Sequence, residues 1–306
     1  MAALGLLGAV EFSGAGRIAS AATKAVSPAA AKAGRRKLSE NRVVLISDIH
    51  VKTGGHTAAR LERVVGDILT MKPRPANVVI FGDIAELLGK KEDYVTAKGL
   101  LAPLEEAGIR VTIGMGNHDR RENYAEIFSE KAAASLLPDR YTYIVETPYA
   151  DFIMLDSLQQ GDDTTKWITP GTLDDNQREW LEKKLESYGK PVFVGSHHPI
   201  SELKLTQLLA FSPYCCGYIH GHDHVWKENW GIGKWGRQEI IRTLCLPSTG
   251  YWGDIGYVVM DLEPHKAVAT LHQYEFFFNM PDDEHHLPIW DDITADHDGL
   301  TCTFTY

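Results

Sequence analysis

The chain has 306 residues, of which 44% are hydrophobic and 24% are charged, as in an ordinary folded protein with a sizeable core. The formal net charge of -10 at pH 7 offers no basic surface for a phosphate backbone, so the composition disfavours a nucleic-acid partner. The four cysteines, Cys215, Cys216, Cys245 and Cys302, lack the spacing of a zinc-thiolate site, and we predict buried small hydrophobic side chains instead.

Residues 1–41 are rich in Ala, Gly and Ser and open with an apolar run over residues 2–10. This run is too short to cross a bilayer, so no membrane span is predicted. Its length is that of the apolar region of a secretory signal, and Ala19-Ser20-Ala21 supplies a cleavage pattern, although the usual preceding basic residues are missing. Two hypotheses stay open: the remnant of an export signal on a periplasmic or secreted protein, and a disordered tail on a cytoplasmic one.

After the N-terminal segment, short apolar runs alternate with helical patterns. The predicted strands cover residues 43–46, 78–81 and 111–113, with predicted helices between them near 61–69 and 94–104. The strands are continuous apolar and β-branched runs, which is typical of strands buried on both faces. Strand, helix, strand order favours right-handed crossovers, so we predict a largely parallel sheet.

The second half of the chain repeats this scheme less regularly. Strands are predicted at residues 152–155, 191–194 and 217–219, and one helix is predicted to start at an N-cap, Thr172, and to stop before Gly189. Later runs at 240–241, 257–260 and 268–271 predict a second, more antiparallel sheet. Residues 280–306 are acidic and are predicted to form an irregular tail on a single domain that covers residues 42–306.

Polar side chains follow directly after several of the predicted strands. They occur in the strings Asp48-Ile49-His50, Gly82-Asp83, Gly116-Asn117-His118-Asp119, Ser196-His197-His198-Pro199 and Gly221-His222-Asp223-His224. Because the carboxyl ends of parallel strands meet at one edge of a sheet, we expect these strings to converge. Carboxylates, imidazoles and one amide are ligands for first-row transition metals, and their number predicts two ions. Asp83 is the candidate for the carboxylate that bridges both ions.

In this order, the strings resemble those of the calcineurin-like metallophosphoesterase superfamily, over roughly residues 42–273. The resemblance implies a four-layer α/β/β/α sandwich with two mixed sheets, the calcineurin-like phosphoesterase fold, and a dinuclear Fe, Mn or Zn centre. It implies one metal bound by Asp48, His50, Asp83 and His224 and a second bound by Asp83, Asn117, His197 and His222. His118 resembles the family's catalytic imidazole, and we predict that Asp119 pairs with it. Many members carry an aspartate where this chain has Glu86.

These residues predict a metal-dependent hydrolase of small phosphate esters. A water that bridges two ions is acidified and becomes the nucleophile, while the ions also bind the phosphoryl oxygens. His118 can then help the leaving group, with Asp119 fixing its tautomer. Similarity to the cyclic-nucleotide and glycerophosphodiester branch favours a phosphodiesterase. A phosphomonoesterase and a non-catalytic protein-binding scaffold are the alternatives, and the acidic charge opposes a nuclease. The oligomeric state is not predicted.

Other residues near the strings have more than one interpretation. His198 and His220 are predicted to support or pack against the ligands rather than to bind metal. Arg120 and Arg121 open a helix and could contact a substrate phosphate, but a solvated helix face is favoured. Tyr251-Trp252, in a loop rich in Gly, Ser and Pro, is the aromatic pair most suited to a substrate pocket.

Overall fold

A computed structural model of the protein describes residues 37–233, 240–277 and 296–306. The strands are β1 (Leu38–Ile46), β2 (Arg74–Ile80), β3 (Arg110–Ile113), β4 (Tyr143–Val145), β5 (Asp151–Met154), β6 (Val192–Gly195), β7 (Cys215–His220), β8 (Lys227–Gly233), β9 (Ile240–Cys245), β10 (Gly253–Glu263), β11 (Lys266–Phe277) and β12 (Thr301–Thr305). The helices are α1 (His56–Thr70), α2 (Lys91–Glu106), α3 (Arg121–Ile127), α4 (Ser129–Ala133), α5 (Asp175–Glu186) and α6 (Thr206–Phe211). Of the predicted export remnant or tail at residues 1–41, residues 1–36 lie outside the described residues, whereas β1 already begins at Leu38.

The strands form two mixed sheets of six strands each. The first has the order β12-β11-β10-β1-β2-β3, and the second has the order β4-β5-β6-β7-β9-β8. In the first sheet β1, β2 and β3 are parallel, as predicted, and β10 pairs antiparallel with the other side of β1. In the second sheet β5, β6, β7 and β9 are parallel, with antiparallel β4 and β8 at the two edges.

Neighbouring side chains of a strand pack into different cores, and this alternation produces four layers. On β1, Val43 and Leu45 face the second sheet, whereas Val44 and Ile46 pack against the apolar stripe of α1. On β6, Phe193 belongs to the core between the sheets, and its neighbours pack with α5 and α6. Because side chains point alternately to opposite faces of a strand, each sheet buries both faces, one on a helix layer and one on the other sheet. The predicted α/β/β/α sandwich with two mixed sheets is confirmed.

Three predictions about local structure are wrong. Helix α5 is capped by Asp174, whose carboxylate accepts a hydrogen bond from the Gln177 amide at 2.8 Å, rather than by Thr172. The runs at 257–260 and 268–271 belong to the first sheet, because the β10–β11 hairpin covers the edge of β1 that would otherwise be unpaired. Residues 301–305 form β12 and not an irregular tail, since they pair antiparallel with β11.

No helix among the residues that the structure describes combines the length and the apolar character needed to span a bilayer.

Candidate metal centre

Each predicted ligand lies within a few residues of the carboxyl end of a strand. Asp48 and His50 follow β1, Asp83 follows β2 and Asn117 follows β3, all in the first sheet, while His197 follows β6 and His222 and His224 follow β7 in the second sheet. The two sheets meet at this edge, where the His222 amide donates to Asp48 Oδ2 at 3.1 Å. Parallel topology therefore brings ligands from distant parts of the chain to one place.

Five of the seven residues have a left-handed backbone conformation. Their φ angles are 52° at Asp48, 46° at His50, 49° at Asp83, 73° at His222 and 60° at His224. A residue with a Cβ rarely adopts this region, because it costs of the order of 1 kcal/mol or more. Such strain persists only where the surroundings impose it, and here it turns the chain sharply at each strand end so that the side chains face the same space.

Glycine permits the closest backbone approaches around the carboxylates. A Cβ at Gly116 would overlap both Oδ1 and the backbone nitrogen of Asp83. A Cβ at Gly221 would overlap Ser47 Oγ and Asp48 Oδ2. Only a residue without a side chain leaves room for these two carboxylates, so the glycines of the motif strings have a packing reason.

One group of side-chain atoms gathers around Asp48. His224 Nε2 lies 3.1 Å from Asp48 Oδ1, and His50 Nε2 lies 3.9 Å from the same oxygen. The two Nε2 atoms are 3.4 Å apart. His50 Nε2 is also 3.5 Å from Asp83 Oδ2, which links this group to the next one.

A second group gathers around His197. Its Nε2 lies 3.0 Å from Asn117 Oδ1, 3.2 Å from Asp83 Oδ2 and 3.2 Å from His222 Nδ1. Asp83 Oδ2 is therefore close to an imidazole of each group. The structure brings together all seven residues predicted as ligands, and Asp83 occupies the position between the two groups.

The imidazoles are oriented by hydrogen bonds to the backbone. His50 Nδ1 lies 2.7 Å from the carbonyl oxygen of Glu86, and His197 Nδ1 lies 2.9 Å from that of Phe81. Since a carbonyl only accepts, each Nδ1 donates, and in the neutral ring each Nε2 presents a lone pair to the cluster. His224 differs, because its Nδ1 has no hydrogen-bond partner in the described part of the chain and its ring lies 4.3 Å from that of Trp252.

The electrostatics of the cluster favour positive charge. Asp48 and Asp83 are buried, and among the described residues only imidazoles lie within ion-pair distance of them. Burial acts to raise the pKa of Asp48, but His224 and His197 hold this pKa below its usual range. Burial likewise opposes charge on His197, yet Asp83 and Asp48 raise its pKa to about 9.

This donor set fits metal ions. With neutral rings, lone pairs of nitrogen and oxygen would face each other at 3.0–3.5 Å, and buried carboxylates without a permanent cation are costly. Divalent ions at these positions would relieve both problems with the ligand types that transition metals prefer. The role of the seven residues as ligands stays a prediction.

The predicted pairing of Asp119 with His118 is wrong. His118 Nδ1 lies 2.9 Å from the carbonyl oxygen of Leu87, so the backbone fixes its tautomer. The Asp119 carboxylate accepts hydrogen bonds from the Ile84, Ala85 and Gly116 amides and from the Tyr94 hydroxyl. Buried backbone donors need an acceptor, and Asp119 satisfies them at the junction of two ligand loops. Burial and Asp83 raise the pKa of Asp119 to about 7, against these donors.

Comparison with known proteins agrees with this geometry. The family model described as calcineurin-like phosphoesterase matches residues 41–226, which is more than half of the chain. The chain belongs to the calcineurin-like phosphoesterase family. The predicted family is thereby confirmed, and with it the prediction of a hydrolase of phosphoric esters.

Three known proteins are similar to this chain, one in sequence and two in fold. The 3',5'-cyclic adenosine monophosphate phosphodiesterase CpdA of Pseudomonas aeruginosa is 29% identical over 230 residues, which are 68% of this chain and 75% of that protein. A dimetal phosphatase from Danio rerio has a TM-score of 0.61 at 15% identity, covering 75% of this chain and 95% of the other. PhoD has a TM-score of 0.54 at 12% identity, covering 77% of this chain and 66% of the other. The two structures share the fold.

Arg120 and Arg121, which follow the string Gly116-Asn117-His118-Asp119, do not form the predicted solvated helix face. Arg120 is buried, and its guanidinium donates to the carbonyl oxygens of Gly161 and Asp163. Arg121 pairs with buried Asp156 through two hydrogen bonds of 2.7 Å. Both side chains therefore attach the long loop after β5 to the site, because planar guanidinium groups can bind several acceptors at once.

Aromatic rings border the candidate metal centre, including the pair favoured by the sequence. Tyr251 lies 4.6 Å from the His50 ring and Trp252 lies 4.3 Å from the His224 ring, measured between centroids. Trp167 lies 4.8 Å from the His118 ring, and sequence reasoning did not identify it. The available signal was a large apolar residue in a polar loop directly after a parallel strand, where functional residues concentrate.

Two further histidines near the candidate ligands, His198 and His220, do not direct their ring nitrogens at the centre. His198 uses both ring nitrogens elsewhere, with Nδ1 2.8 Å from Ser157 Oγ and Nε2 3.0 Å from the carbonyl oxygen of Thr169. His220 is buried, and its Nδ1 lies 2.8 Å from the carbonyl oxygen of Gly221. These contacts agree with the prediction that both residues support the ligand loops.

Proposed function

We propose that this phosphoesterase is a dinuclear, metal-dependent phosphodiesterase. The observation that carries the proposal is the position of Asp83 Oδ2, 3.5 Å from His50 Nε2 and 3.2 Å from His197 Nε2, where one carboxylate can serve two ions. Asp48, His50, Asp83 and His224 would bind one ion, and Asp83, Asn117, His197 and His222 would bind the other. When bound, such ions supply an acidified water as the nucleophile and positive charge for the phosphoryl oxygens.

His118 would act on the leaving group. Its backbone amide donates to Asp83 Oδ1 at 2.8 Å, which places it beside the carboxylate between the two groups. Because Nδ1 donates to Leu87, only Nε2 of the protonated ring can deliver a proton to the leaving oxygen. We assign no proton transfer to Asp119, whose carboxylate is surrounded by backbone donors.

Two observations favour diesters over monoesters. The two arginines that follow His118 in the sequence are both engaged, Arg120 with backbone carbonyls and Arg121 with Asp156, so neither is available for the extra charge of a monoester dianion. The match to the cyclic-nucleotide phosphodiesterase CpdA supports the same preference. We therefore propose 3',5'-cyclic AMP as the first substrate to test.

The test is hydrolysis by metal-loaded protein. We expect kcat/KM for cyclic AMP and for bis(p-nitrophenyl) phosphate to exceed that for p-nitrophenyl phosphate by about tenfold or more, which is about 1.4 kcal/mol of transition-state preference. Chelation should abolish turnover and lower the thermal midpoint, because ions that bind only the folded state stabilise it. Elemental analysis should give two ions per chain. Preference for the monoester would contradict the diester proposal, and no turnover with two ions bound would favour the scaffold.

Replacement of His118 tests its role separately. We expect His118→Asn to lower kcat for cyclic AMP by about 10²- to 10³-fold, the usual contribution of a general acid. The loss should be smaller for bis(p-nitrophenyl) phosphate, because nitrophenolate leaves without a proton. Metal content should not change. The exposed His265 at the β10–β11 turn, replaced by Asn, is the matched control. An equal loss on both substrates would exclude proton donation by His118.

A further inference from the structure

Trp167 is an exposed aromatic residue at the edge of the candidate site. Its side chain is 44% exposed, although large apolar side chains are usually covered. One part of its ring lies against His118, at 4.8 Å between centroids. A ring that is half open and rests on the proposed proton donor is suitably placed to contact the organic part of a substrate.

The loop that carries Trp167 is attached by hydrogen bonds to Arg120, which directly follows the string Gly116-Asn117-His118-Asp119. Arg120, three residues after Asn117, donates to the carbonyl oxygens of Gly161, Asp163 and Lys166, at 3.1, 2.6 and 3.4 Å. The backbone amide of Arg120 donates in turn to the Tyr94 hydroxyl at 2.7 Å. The backbone next to Trp167 is therefore fixed before a ligand arrives, which reduces the entropy lost on binding.

Both apolar and polar side chains border the space beside Trp167. Leu87, Leu88 and Ile168 supply apolar surface there. The same lining includes Gln160, Lys166 and residues 117–120. Gln159 is exposed at the same opening and adds an amide. The enclosed volume is only about 10 Å³, room for about one water molecule, so a heteroaromatic ring would stack on the exposed face of Trp167 rather than enter this space.

We propose that Trp167 forms a nucleobase subsite, which stacks on the base of the nucleoside that carries the leaving oxygen. This inference rests on the proposed phosphodiesterase function and on the placement of His118 at the leaving group. It assigns the substrate class as nucleoside phosphodiesters, because a base can stack on Trp167 while the phosphate remains beside Asp83. Aliphatic diesters such as glycerophosphodiesters gain nothing from this surface.

The matched probes are 5'-AMP and ribose 5-phosphate, which differ by the base alone. Each is titrated as an inhibitor of bis(p-nitrophenyl) phosphate hydrolysis, and binding of each is measured by calorimetry on the metal-loaded protein. We expect AMP to bind wild type more tightly than ribose 5-phosphate by about tenfold, within the usual contribution of one base stacked on an aromatic ring. In Trp167→Ala this ratio should fall to about one, and Trp167→Phe should restore most of it.

The control is Phe211→Ala, an exposed aromatic residue on α6, which should leave the AMP to ribose 5-phosphate ratio unchanged. An unchanged ratio in Trp167→Ala, with diester hydrolysis intact, would overturn the nucleobase subsite alone. A wild-type protein that hydrolyses no diester when two ions are bound would overturn the proposed function and this inference with it. A ratio of one in wild type would also overturn the subsite.

Discussion

Asp83→Asn is expected to lower kcat/KM for phosphodiesters by about 10³-fold or more, because loss of the carboxylate that we propose to bridge two ions would remove several kcal/mol of metal-based stabilisation. Asp83 Oδ2 faces both His50 and His197, so an amide nitrogen at this position would leave each ion with one anionic ligand fewer. Metal content should fall below two ions per chain. The measurement combines steady-state kinetics with elemental analysis of the purified variant.

A second aspartate with a similar backbone conformation provides a matched control for Asp83→Asn. Asp83 has φ 49°, a region that both Asn and Asp adopt. Asp139 has φ 58° and is exposed, so Asp139→Asn makes the same chemical change in the same conformation away from the strings. This variant should keep its activity and its two ions. Full activity in Asp83→Asn would show that the carboxylate does not bridge two ions.

Gly116→Ala is expected to have the second largest effect, although it adds a single methyl group. The new Cβ would overlap Oδ1 and the backbone nitrogen of Asp83, and a backbone atom cannot rotate away. Overpacking of this kind costs about 1–3 kcal/mol of stability. Displacement of a catalytic group by about 1 Å lowers the rate by about 10²-fold. Chemical denaturation and diester kinetics on the same preparation measure both losses.

The same substitution at Gly66 is a control that separates the steric clash with Asp83 from the general effect of replacing glycine by alanine. Gly66 lies on the exposed side of α1, with no atom within 4 Å of its would-be Cβ. Gly66→Ala should therefore stabilise the fold by about 0.5–1 kcal/mol, because alanine loses less conformational freedom in a helix. Opposite signs at the two glycines are the expected result. Loss of stability at both would mean that the Asp83 contact is not the cause.

The hydrogen-bond partners of His118 and Asp119 could not be predicted from the sequence. The string Asn117-His118-Asp119 made pairing of the last two residues the simplest prediction, yet each side chain binds backbone groups that lie more than 30 positions earlier in the sequence. The pairing of the β10–β11 hairpin with the edge of β1 was not predicted either, because it also joins distant parts of the chain. The hydrophobic pattern predicts strands, whereas the partner of a strand depends on which edge the rest of the sheet leaves open.

The sequence by itself determined the types of candidate ligand and their place at strand ends. Apolar runs followed by Asp, Asn and His predict buried parallel strands with a polar carboxyl edge, whatever the remaining loops do. Only the tertiary structure decided that Arg120 holds the loop of Trp167 and that this ring lies on His118. Those contacts join segments with no shared periodicity, so their geometry is set by long-range packing and by the need of buried polar groups for partners.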